Sequence, residues 1–352
     1  MARAANNKKR RDIMGTDYSI RYAQNTPVDG DTLASVQPGC SIDDLLDDPE
    51  LNWDVSALPV FDPMGNPVFE ARVISRDDTG QHLGLVTKRY EILQNREALE
   101  FMRPAFKAGA TIDCAGVFRG GKNMFVIANV DGVKPITPVK GDEHRPYIML
   151  RHGHDGNTSV EIKAFSTRLS CTNMFPLINR ETKDTTIKIK HRNGVHEALD
   201  ILGNLTANAL QGFAETEEPL KKLAKAPLSP LQLENYFRHV LKLPYRDPKA
   251  IIEDEEAYEK LMAEGKRKLE WMNEAHEDEE KLTPSVAHGT LYHAWNAVTH
   301  HVTHDAPTKA DQSRFEKSIS GLGAQMSQRA YDVALLVAEK GIEVLNEKPV
   351  AA

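Results

Sequence analysis

The chain has 352 residues, 40% of them hydrophobic and 27% charged, the proportions of a soluble globular protein long enough for about two domains. No run of eighteen apolar residues occurs, which argues against a membrane-spanning helix. Three scattered cysteines (Cys40, Cys114, Cys171) without a CxxC pair argue against a disulfide framework or a cysteine-type zinc finger, and point to the reducing cytoplasm. The net charge of −7 hides an asymmetry, because residues 67–193 carry 20 Lys and Arg against 14 Asp and Glu, an excess of +6, while the remainder carries −13. A nucleic-acid-binding face and an ordinary mixed surface both fit such a distribution.

Residues 1–40 have few apolar anchors and read as a flexible basic tail. The basic run Lys8–Arg11 is not followed by an apolar stretch, so it does not read as a secretory signal. Ser41 then caps a short helix whose first turn holds Asp43 and Asp44. From Pro67 the pattern turns to strand. VFEARVIS and HLGLVTKRYEIL flank a turn at Asp77–Gly80, and form the first expected hairpin. Asn95 reads as the cap of a helix with Ala98, Leu99, Met102 and Phe106 on one face. A second hairpin turns at Arg119-Gly120-Gly121-Lys122. A third turns at Asp155-Gly156, one of the stronger short-range hairpin signals. Ile187 and Ile189 alternate with lysines in a further strand. After Asn193 the period changes to that of helices, with Leu199, Leu202 and Leu205 in one and Leu233, Phe237 and Leu241 in another, the latter opened by Ser229-Pro230. The fold class expected is α+β: an antiparallel, hairpin-rich sheet core with helices over 41–193, followed by a mostly helical region over 194–345 packing on that core.

In this order, LGLVTKRYEILQNREALEF (83–101), DCAGVFRGGKNMFVIANV (113–130), HGHDGNTSVEI (152–162), TRLSCTNM (167–174) and IKIKH (187–191) resemble the domain of unknown function 932 family. Trp295-Asn296-Ala297-Val298 and Ser318–Gly323 resemble its phage- and plasmid-borne subgroup, so the likeness spans roughly Leu51 to Val337. Asn157 stands where the family often has Ser, Thr303-His304-Asp305 replaces a usual Asp-His, and Arg192 follows His191 where Thr is usual. The resemblance implies a mobile-element context and no particular reaction.

Three groups of residues have the chemistry of a site. Lys88, Arg89, Tyr90, Arg119, Lys122, Arg151 and Arg168 combine cations with an aromatic, as binding to nucleic acid requires, with Tyr90 or Phe118 as stacking surface. Solvated turns and core aromatics are the competing reading. His152, His154, Asp155 and His191 are metal-ligand types, two of them on one strand face, although no known ligand spacing is present. Arg168, Cys171 and Asn173 form a third group, in which Cys171 reads more readily as a buried small residue than as a nucleophile. His293, His300 and His304 share a helix face but lack the glutamate of an HExxH motif. No phosphate-binding loop, dinucleotide fingerprint or nucleophile elbow occurs, so an enzymatic role and a cofactor are not expected. The leading expectation is a mobile-element accessory protein that binds nucleic acid, single-stranded DNA in particular, and acts in recombination. The alternatives are a self-assembling structural or host-modulating protein, forming a homo-oligomer through its helical half, and a metal-dependent enzyme. No membrane partner is expected.

Overall fold

A computed structural model describes residues 18–23, 40–107, 109–168, 174–176, 186–192, 213–244, 255–263, 265–306 and 321–346. The structure is α+β, with antiparallel sheets in the first half and mostly helices in the second. The chain divides into two compact units. One comprises the described parts of Met1–Val133, Tyr147–Ala164 and Asp184–Leu210, the other those of Lys134–Pro146, Phe165–Lys183 and Gln211–Ala352.

The first unit holds a three-stranded sheet and most of a larger one. The small sheet is β2 (Val55–Phe61), β3 (Pro67–Arg76) and β4 (His82–Thr87), in that order and antiparallel. Its register puts Leu58, Val73 and Leu85 in one row across the sheet and Ala57, Ile74 and Gly84 in the next. Successive rows face opposite ways. The inner face packs Trp53, Val55, Ile74, Leu83 and Val86 into a core. The outer face leaves Leu58, Phe69 and Leu85 in solvent. On the inner face a Cβ added at Gly84 would lie 2.6 Å from the backbone carbon of Asp155. The Gly84→Ala variant is therefore expected to lose about 1–3 kcal/mol by overpacking, measured by denaturant unfolding; unchanged stability would mean that the 155 turn yields.

The larger sheet runs β1 (Tyr18–Ala23), β5 (Ala110–Phe118), β6 (Asn123–Val130), β8 (Asp142–Gly153) and β9 (Val160–Arg168), with β11 (Thr186–Ile189) also on β9. Residues 18–23 thus form a paired strand, Tyr18 opposite Phe118, which corrects the tail reading there. The other residues of 1–39 lie outside the described ones. Near-continuous apolar runs in β5 and β6 explain their burial: Ile112, Ala115, Val117, Met124, Val126 and Ala128 join the α1 (Ile42–Asp47) and α2 (Asn95–Glu100) side chains Leu45, Leu46, Ala98 and Leu99 in one core. Helix α1 starts as its sequence dictates, since the Ser41 hydroxyl accepts from Asp44 N–H while the Asp44 carboxylate accepts from Ser41 N–H. Helix α2 starts one residue earlier than expected. Gln94, not Asn95, is its cap, and Glu97 closes the box on the Gln94 N–H at 2.7 Å.

In the second unit, β7 (Ile136–Val139) pairs with the start of β8, and β10 (Met174–Pro176) pairs with the end of β9. The α-helices described after α3 (Arg103–Lys107) belong here: α4 (Glu217–Ala224), α5 (Pro230–Leu241), α6 (Glu255–Met262), α7 (Lys266–Glu279), α8 (Leu291–His300) and α9 (Leu322–Lys340). Ser229-Pro230 opens α5 as expected, with Gln232 completing the box. Helix α8 is buried from Leu291 through Thr299, its polar Asn296 and Thr299 side chains donating to carbonyls of the helix itself. The helix expected from Val195 lies outside the described residues, as do Cys171 and Asn173. Among the described residues no helix is long and apolar enough to cross a membrane.

Candidate functional site

The first unit gathers three histidines. His152 is the last residue but one of β8 and His154 follows two residues on, so strand alternation turns both rings the same way, 4.5 Å apart between centroids. Strand β11 lies antiparallel on β9 with Ile189 opposite Val160. Two residues later it delivers His191, whose ring is 5.1 Å from that of His152. Tyr90 stacks on His191 at 4.8 Å and Trp53 lies 5.3 Å from His154. His152, His154 and His191 are all buried.

Hydrogen bonds fix two of the tautomers. The Asn95 side-chain amide donates to Leu51 O at 2.8 Å, so its oxygen faces His154, and His154 Nε2 donates to it at 2.8 Å. His191 Nδ1 donates to the Glu91 carbonyl at 3.3 Å. That leaves His154 Nδ1 and His191 Nε2 as lone-pair nitrogens, both buried and without a hydrogen-bond partner. Neither nitrogen of His152 makes a hydrogen bond of ordinary geometry, although the Leu93 backbone lies near enough to favour its protonation slightly. Burial, then the neighbouring His154 and His191 rings, holds His152 well below the usual imidazole range. Burial first, with His191 and Arg76 adding to it against Asp155, pushes His154 down to about 3. Burial lowers His191, against the Glu91 carbonyl and Asp155. All three are neutral at pH 7.

Asp155, the fourth expected ligand, is used up by its turn. Oδ1 accepts from Asn157 N–H at 2.9 Å and Thr158 N–H at 2.7 Å, and Oδ2 from the Thr158 hydroxyl at 3.1 Å. It supplies charge near the imidazoles but no free oxygen. Asn95 was legible only as a cap; the pattern Gln94-x-x-Glu97 would have moved the cap by one and released Asn95 for its buried role.

The seven residues expected to bind nucleic acid do not form one surface. Arg168 belongs to the second unit and is 1% exposed, ion-paired with Asp142 and Glu279. Arg151 is half-buried, donates to Asn123 at 3.1 Å and lies 3.7 Å from Glu161. Tyr90 donates to the Gly153 carbonyl and stacks inward, and Phe118 is buried against Phe125. The Gly120-Gly121 tip faces protein, because a Cβ at Gly121 (φ 93°) would meet the Trp53 ring at 2.9 Å and Arg76 at 3.0 Å. Lys122 next to it is half-buried, and its carbonyl accepts from His154 N–H at 2.9 Å. Lys88, Arg89 and Arg119 remain exposed, Lys88 in a 2.7 Å pair with Glu70.

The second unit has a polar cluster of its own. The Tyr292 hydroxyl donates to Asp142 Oδ2 at 2.7 Å, so His144 Nε2, 2.7 Å from the same hydroxyl, must be the donor to it. Arg168 bridges Asp142 and Glu279, and His300 Nδ1 lies 3.3 Å from Glu279. Of the α8-face histidines, only His300 and His304 lie side by side, ring centroids 4.8 Å apart, while His293 stacks on His276 at 3.8 Å.

A family model described as a domain of unknown function (DUF932) matches residues 82–320. The chain belongs to that family. The matched stretch begins at β4 and contains all three clustered imidazoles, Asn95 and Arg168, so both polar clusters are parts of the DUF932 region. A comparison with curated proteins returns no match, and neither does a comparison with solved structures.

Proposed function

We propose that the first unit binds single-stranded nucleic acid on the outer face of its three-stranded sheet. The observation that carries this reading is a row of solvent-facing apolar groups on a pleated surface. Phe69 is 80% exposed, Leu85 64% and Leu58 41%. Exposed phenyl rings on a sheet are stacking platforms for unpaired bases, and every base has a face to offer them. Cations stand at the same end of the sheet. Lys88 N–H donates to the Glu70 carbonyl at 3.2 Å, which brings Lys88 and the exposed Arg89 alongside the Phe69 end of β3. The Lys88–Glu70 pair is exposed, worth about 0–1 kcal/mol, and yields readily to a phosphate. The likeness to phage- and plasmid-borne proteins supports placing this activity in a mobile element's handling of single strands in the host cytoplasm.

Fluorescence anisotropy with a labelled oligodeoxythymidine tests the reading. The expected result is binding whose log K falls with log salt at a slope of about −1.4, from phosphate contacts of Lys88 and Arg89 at ~0.7 each. Phe69→Ala weakens it by about 1–3 kcal/mol for the loss of one stacked base. No binding at low ionic strength removes the proposal. The same apolar row supports one other reading, a face covered by a second copy of the chain. Light scattering that reports a dimer which Phe69→Lys dissolves, without oligonucleotide binding, selects it.

A further inference from the structure

The three imidazoles of the first unit share a feature that packing alone does not explain. Buried polar groups are nearly always hydrogen-bonded, and each exception calls for a cause such as an ion. Here four buried ring nitrogens within one cluster lack a partner: Nδ1 and Nε2 of His152, Nδ1 of His154 and Nε2 of His191. In His154 and His191 the opposite nitrogen is anchored on an oxygen, Asn95 Oδ1 at 2.8 Å and Glu91 O at 3.3 Å. This is how metal-ligating histidines are held: one N–H on a carbonyl or carboxylate fixes the ring and presents the other nitrogen's lone pair.

Spacing agrees. A tetrahedral zinc-class ion with nitrogens at ~2.0–2.1 Å sets neighbouring imidazole centroids roughly 5 Å apart, against 4.5 Å for His152–His154 and 5.1 Å for His152–His191. Among the described residues, no group of three or more His, Cys, Asp or Glu is placed to hold a metal ion as it stands, so binding requires the His152 ring, which has no such anchor, to turn about χ2, a broad torsion. We propose that His152, His154 and His191 form a three-imidazole site for a divalent transition cation of the zinc class, taken up through Nδ1 of His154, Nε2 of His191 and one ring nitrogen of His152. Asp155 adds negative charge from its turn without ligating, and Asn95 is a positioning residue that aims His154.

Cobalt titration of the full, chelator-stripped chain tests this. One equivalent of Co(II) is expected to bind with visible absorption bands and a raised melting temperature. His191→Gln loses the bands. Asn95→Ala, which removes the anchor of His154, weakens Co(II) about 10- to 100-fold, and Asn95→Asp restores most of it. Asp155→Asn keeps the one-to-one stoichiometry. Should a variant fail to fold, the wild-type protein still decides. Folded wild type without bands and without a melting shift at millimolar Co(II) or Zn(II) overturns the proposal. Oligonucleotide plays no part in this experiment, so its outcome is independent of the sheet-face reading.

Discussion

Arg168→Met is expected to destabilise the second unit by about 3–5 kcal/mol, the usual cost of stranding buried charge. A guanidinium removed from water must be repaid by geometry, and here it is: Nε donates to Asp142 at 2.9 Å, a second nitrogen lies 2.7 Å from Asp142 Oδ2, and another pairs with Glu279. Both arginine and aspartate side chains are 0% exposed. Methionine fills the volume but leaves Asp142 buried without its cation and Glu279 with only His300 beside it. Burial pushes the Glu279 carboxyl up, yet His300 and Arg168 outweigh that and hold it below the usual carboxylate range, so removing Arg168 removes part of what keeps it ionised. Differential scanning calorimetry checks the drop. A combined change of Arg168→Met, Asp142→Leu and Glu279→Leu is expected to recover much of the loss, because no charge then remains unpaired. A single variant as stable as wild type would show that the carboxylates find other partners.

Stability is expected to fall as pH drops from 6.5 towards 4. In the folded chain burial pushes His144 and His154 each down to about 3, and holds His152 well below the usual imidazole range. Their unfolded value is about 6.5. A depressed folded pKa means that the unfolded chain binds the proton first, so stability is complete above 6.5 and declines below it. One unit below 6.5, each such imidazole costs about 1.4 kcal/mol, and three cost about 4. His300 has the opposite sign: its folded pKa is raised, because Glu279 and Asp305 outweigh its burial. Its contribution is already complete below 6.5 and does not offset the loss. Urea unfolding at pH 7.5 and 5.5 measures the difference, and equal midpoints would refute neutral burial of these rings. Bound metal would steepen the dependence, since imidazoles must be deprotonated to ligate.

Local grammar made much of the fold readable. Ser41 and Ser229-Pro230 announced helix starts because a hydroxyl ahead of an acidic or amide third residue satisfies two orphan donors. Asp155-Gly156 announced its turn because glycine takes φ 77° there without strain. Strand β1 was hidden, since YSIRYA gains its stability from Cys114–Phe118 and so from residues far along the chain. The small sheet's separation from the larger one was equally hidden, as periodicity states which face is apolar but not which partner covers it. The histidine cluster was half legible: a spacing of two on a strand brought His152 and His154 together, whereas His191 arrives only through the pairing of β11 with β9. The cation list failed for a related reason. A tally of charges says nothing of burial, and Arg168 and Arg151 had carboxylates waiting for them 26 residues back and 10 residues on.

The strand order β2–β3–β4 leaves two flanks to the small sheet, and they are guarded unequally. On β2, Pro59 has no amide hydrogen to offer and the register breaks between Pro59 and Phe61. On β4, the stretch HLGLVT holds neither proline nor lysine. An extended peptide seeking main-chain partners would therefore meet proline and a broken register along one margin and, along part of the other, the 155–156 turn that lies against Gly84 and the Leu85 carbonyl.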